Sequence, residues 1–108
     1  MIGGRRGDPH RMLMQAIRAK AERDGVARIV HNSSEAWASA TFRGARHNML
    51  LQLDGDGADD RATRLAEALG IMEFRLPGHL VADIALVGRR TNAKGTAIEI
   101  EALTLEDG

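Results

Sequence analysis

A chain of 108 residues with no net charge at neutral pH fits one domain and leaves no room for two. Its 44% hydrophobic and 28% charged residues describe a globular chain, not a disordered one, and no stretch approaches the roughly 20 apolar residues of a membrane span. The absence of cysteine excludes disulfides, thiolate metal sites and cysteine nucleophiles.

The apolar side chains are small: 17 alanines against one tryptophan, two phenylalanines and no tyrosine. The core is therefore expected to be thin and to rest on Leu, Ile, Val and Met. Thirteen arginines against two lysines are read as codon composition. Charge is unevenly spread. Residues 1–53 carry nine basic and four acidic side chains, a balance of +5; residues 54–108 carry six and eleven, a balance of −5. The expectation is that the two halves interleave and neutralise each other locally, because sheet neighbours often come from different halves. Residues 1–7 are glycine-rich and basic, and read as a disordered arm with no signal-peptide core behind it. A cytoplasmic location is expected.

Asp8 followed by Pro9 is a helix start, an acceptor side chain at the cap and a proline where its missing N–H costs nothing. Leu13, Ala16, Ile17 and Ala21 then form an apolar stripe at helical spacing, and Gly25 ends it. Val26 to His31 reads as a short strand and Asn32-Ser33-Ser34 as a turn. Ala36 to Arg43 alternates, with alanines and Phe42 on one face and Trp37, Ser39, Thr41 and Arg43 on the other. Gly44-Ala45 fits a two-residue hairpin, and His47 to Leu53 returns with Met49, Leu51 and Leu53 on one face.

Asp54 to Gly57 breaks the sheet. A second helix starts near Asp56, with Asp59 and Asp60 favourably placed for the helix dipole and a stripe of Ala62, Leu65, Ala66 and Leu69. Met72 to Leu76 reads as an extra short strand. His79 to Gly88 is apolar on both faces except at Asp83, which predicts a central strand. Thr91 to Gly95 forms a loop, and Thr96 to Leu105 closes the sheet, Ile98 and Ile100 inward, with a bulge near Ala102 or a change of neighbour there. The whole is an α+β fold: two helices packed on one face of an antiparallel sheet of five to six strands, in the order α-β-β-β-α-(β)-β-β. That order resembles small dimeric chaperone-like domains with helices on one sheet face, a likeness of order without a shared motif. Ala21-Glu22 and Gly25-Val26 recur as Ala66-Glu67 and Gly70-Ile71, and both halves close in Asp-Gly, which raises the question of a duplication; the drifting offset argues against one.

No motif in the chain completes a catalytic or cofactor pattern. The run from Asp54 to Asp60 opens like a calcium loop, then places Ala58 and Leu65 where ligands belong, so it reads as a strand exit and helix cap. Of His10, His31, His47 and His79, only His31 and His47 are expected to be able to meet, across neighbouring strands, and a structural role is preferred. Lys94-Gly95-Thr96 lacks the pattern of a phosphate loop, and no serine lies in a nucleophile elbow. Asp83 is the candidate functional carboxylate, an acid or base if desolvated, a structural group if paired or solvated. No cofactor and no metal are expected.

These readings favour a non-enzymatic binding or scaffolding module that self-associates or binds another protein, with Trp37, Ser39, Thr41 and Arg43 as the candidate interface. Weak nucleic-acid binding through Arg5, Arg6, Arg11, Arg18, Arg23 and Arg28 ranks behind it, because net charge is zero and aromatics for base stacking are few. A small-ligand site around Asp83 is the third reading.

Overall fold

The computed structural model describes residues 8–107. The basic arm expected over residues 1–7 and the final Gly108 lie outside them. Two helices and four strands alternate as α1 (Pro9–Glu22), β1 (Ala27–Ala38), β2 (Arg43–Asp54), α2 (Ala58–Leu69), β3 (His79–Asn92) and β4 (Gly95–Glu106). The strands form one antiparallel sheet in the order β1-β2-β4-β3. Each half of the chain thus contributes a helix followed by a hairpin, and the halves lie side by side across the β2–β4 seam. The expected interleaving is not found. The basic half occupies one side of the sheet and the acidic half the other.

α1 starts as its sequence dictates. The Asp8 side chain accepts the backbone N–H of His10 at 3.0 Å, and Pro9 occupies the first helical position. Leu13, Met14, Ile17 and Ala21 are buried. α2 buries Ala58, Arg61, Ala62, Leu65 and Leu69, and has Asp59 and Asp60 in its first turn without a side-chain cap. Both stripes pack on the same face of the sheet, formed by Met49, Leu51 and Leu53 of β2 and Ile98, Ile100 and Ala102 of β4. The register sets Met49 opposite Ile100 and Leu51 opposite Ile98, so the two central strands supply the floor of one core.

Several expected boundaries are corrected. The sheet has four strands, not five or six. Asn32-Ser33-Ser34 is no turn: β1 runs through it, paired with β2 as far as Ala38. Gly44-Ala45 is no hairpin either. The chain reverses over residues 39–42, where the Ser39 hydroxyl accepts the N–H groups of Thr41 and Phe42 and the Ser39 N–H donates to the Phe42 carbonyl at 2.8 Å. Met72 to Leu76 forms no strand; Leu76 is buried and bridges only to His79. β3 is an edge strand, so its apolar run is only half covered. β4 has no bulge near Ala102. The register shifts fall on the two edge strands instead, at Val30 of β1 and at Ala82 and Val87 of β3, where an extra residue costs one ladder and not two.

One buried cation ties the helix layer to the sheet. Arg61 is 7% exposed and has no carboxylate partner among the described residues. Its guanidinium donates to the carbonyls of Ala21 and Val26, both at 3.1 Å, and of Asp54 at 3.4 Å. These mark the end of α1, the entry to β1 and the exit from β2. The first is a helix C-terminus, where positive charge is favoured. Gly25 makes room: a Cβ there would come within 2.9 Å of the guanidinium, and its φ of +146° suits glycine.

Candidate functional site

Among the described residues the helices cover one face of the sheet and leave the other free. The pairing registers place the helix-free residues in rows across all four strands. At one end lie Trp37, Gly44, Leu105 and Leu80; next come Glu35, Arg46, Leu103 and Asp83, then Ser33, Asn48, Glu101 and Ala85. The first row is apolar throughout. Leu80 is 54% exposed, while Trp37 and Leu105 are half-buried. Gly44 leaves room for the indole beside it: Trp37 Nε1 sits 3.2 Å from the place a Gly44 Cβ would take. That Nε1 is buried and has no hydrogen-bond acceptor among the described residues.

The second and third rows line a shallow trough of about 560 Å³. It is acidic at Glu35, Asp83 and Glu101, basic at Arg46 and apolar at Leu103 and Ala85. Beside it Asn48 donates to Glu99 at 2.7 Å, which fixes both side chains on the open face.

The expected interface residues fall in different places. Trp37 is on the helix-free face, as read from its alternation with the alanines. Ser39 and Thr41 belong to the β1–β2 loop, and Arg43 opens β2 opposite Ala38. The four do not share one strand face, because the chain reverses between them. Asp83 is exposed on the edge strand β3 opposite Leu103, with no ion pair or hydrogen bond among the described residues. The desolvation on which an acid or base role would draw is absent there.

A polar cluster that the sequence did not signal lies on the helix side. His10 of α1 and His47 of β2 meet with Nδ1 atoms 3.0 Å apart. Their ring planes differ by 6° and their centroids lie 5.2 Å apart, so the rings meet edge to edge. His10 Nε2 donates to Asn32 Oδ1 at 2.7 Å, and His47 Nε2 lies 2.9 Å from the Thr104 hydroxyl. One tautomer set satisfies every atom: Thr104 donates to His47 Nε2, His47 Nδ1 donates to His10 Nδ1, and His10 donates to Asn32. His47 is 2% exposed. Burial first, then the positive charge of His10, pushes its pKa down to about 4; Asp8 opposes this and His79 adds to it. The pairing of His47 with His31 is not found. His31 stands opposite Leu50 and points to the other face, because the register shift at Val30 changes the phase of β1. Two residues 37 positions apart in the chain carry no spacing signal, which is why the cluster was invisible.

The arginines of the first half are partly engaged. Arg18 pairs with Glu22 at 3.5 Å and Arg28 with Asp54 at 3.2 Å, while Arg5 and Arg6 lie outside the described residues. The Arg28 guanidinium holds the Asp54 carboxyl below the usual carboxylate range. Among the described residues no group of three or more His, Cys, Asp or Glu side chains is placed to hold a metal, and no helix is long and apolar enough to cross a membrane. Comparison with protein-family models, with curated proteins and with solved structures finds no match.

Proposed function

We propose that this chain is a non-enzymatic binding or scaffolding module that self-associates through the helix-free face of its sheet. The observation that carries the reading is the apolar row Trp37–Gly44–Leu105–Leu80, which crosses all four strands on the side that no helix covers. A half-buried indole with exposed leucine in the same row is the composition of an interface centre, and the polar rows next to it supply a rim. Serine, asparagine, arginine and carboxylate in those rows favour a partner surface of mixed polarity over a lipid surface.

The nucleic-acid reading has less to draw on, since Arg18 and Arg28 already face carboxylates. The proposal extends to a cytoplasmic location, supported by a cysteine-free chain that needs no oxidising compartment to fold; fractionation of cells expressing the tagged chain tests it.

Sedimentation equilibrium tests self-association directly. The wild type is expected to be a dimer at micromolar concentration and Trp37→Ala to shift toward monomer while its circular dichroism is unchanged. A wild type that stays monomeric across the concentration range overturns the reading.

A further inference from the structure

Resting on the self-association reading, we infer that the partner is a second copy stacked face to face, with the two-fold axis running along the strands, so that β1 of one copy lies over β3 of the other and β2 over β4. Three observations lead there. The first is charge. The halves sit side by side in the sheet, and among the described residues the first carries seven basic and four acidic side chains, a balance of +3, against six and eleven, a balance of −5, for the second. Rotation about an axis along the strands sets the more basic half against the acidic one, although among the facing side chains it also brings Glu35 over Asp83 and Arg28 over Arg90. An axis across the strands, or pairing of the two β1 edges, sets like against like.

The second is the arrangement of rows. This rotation keeps each row opposite its own copy with the strand order reversed. The Trp37 indole of each copy then comes over Leu80 and Leu105 of the other, and Ser33 over Ala85. Arg46 lies one row from Glu101 of the opposite copy, within reach of a guanidinium. Arg46 has no carboxylate within ion-pair distance in its own chain among the described residues.

The third is area. Four strands at about 4.8 Å spacing and about 40 Å long give a face of roughly 750 Å², close to the ~800 Å² per partner of a standard interface. The competing site, the long edge of β3, carries two bulges that spoil a further ladder.

Cysteine cross-linking reads the geometry separately from the association. Ser33 and Ala85 lie on opposite edge strands of one sheet, about 14 Å apart, too far for a short bis-maleimide to join within one copy. A mixture of the Ser33→Cys and Ala85→Cys chains is expected to give a covalent dimer, and either variant alone is not. Charge exchange gives the second measurement. Arg46→Glu and Glu101→Arg should each weaken dimerisation about tenfold, and the double variant should recover it. A monomeric wild type overturns the self-association reading and this geometry together. A dimeric wild type that cross-links through Ser33→Cys alone, or that shows no recovery in the double variant, overturns the face-to-face arrangement and leaves self-association standing.

Discussion

His10 and His47 face each other nitrogen to nitrogen at 3.0 Å, joining the first turn of α1 to the middle of β2. Around them Asn32 and Thr104 complete a line of hydrogen bonds that touches α1, β1, β2 and β4. The pair accommodates one proton by exchanging tautomers: His47 then donates to the Thr104 oxygen and accepts from His10. A second proton sets two donors against each other in a buried site.

Acid stability follows from this. The folded pKa of His47 is about 4, below the unfolded value of about 6.5, so the folded state binds fewer protons between them. The stabilisation is fully present above pH 6.5 and is lost as pH falls toward 4. Its size is on the order of 3 kcal/mol, or about 10–20 °C in Tm for a domain of this length. Thermal melts at steps between pH 7 and 4 should show the decline, and His47→Gln should flatten it over the same range. An equal slope in both chains would assign acid sensitivity to other groups.

Arg61 holds three carbonyls from three chain segments, and an ammonium cannot span them. Arg61→Met is expected to cost about 2–4 kcal/mol in urea denaturation, because Ala21, Val26 and Asp54 lose their donor. Arg61→Lys should recover less than half of that.

Two glycines predict opposite outcomes for the same substitution. A Cβ on Gly44 would run into the Thr104 carbonyl oxygen at the β2–β4 seam and crowd the Trp37 indole. Gly44→Ala should therefore destabilise by at least about 2 kcal/mol. Gly70, past the end of α2, has φ −70° and its nearest neighbour, the Glu67 carbonyl oxygen, 3.5 Å from a Cβ. Gly70→Ala should be neutral or stabilise by up to about 0.5 kcal/mol. Urea midpoints of the two variants, measured together, check both signs.

Core truncation should report the shared floor of the two helices. Leu51 is fully buried opposite Ile98, beneath both stripes. Leu51→Ala is expected to cost about 2–5 kcal/mol, whereas Leu50→Ala, one residue along on the open face, should cost under about 1 kcal/mol. Denaturant titration of both variants distinguishes the covered face from the free one.

The sequence by itself determined the two helices, the side of each that is buried, and the inward phase of β2 and β4. Those depend on neighbours within one or two turns: Asp8 caps His10, Leu13 and Ile17 share a stripe, and Ile98 alternates with Glu99. Tertiary structure alone decided the reversal at residues 39–42, the edge position of β3, the side-by-side halves and the meeting of His10 with His47. Turn chemistry at Asn32-Ser33 and Gly44-Ala45 was locally stronger, yet a ladder that runs from Ala27 to Ala38, with a register shift at Val30, satisfies more backbone groups than two early turns would. Whether an apolar strand is central or at an edge, and which histidine reaches which, depends on partners far away in the chain. Local pattern carries no record of them.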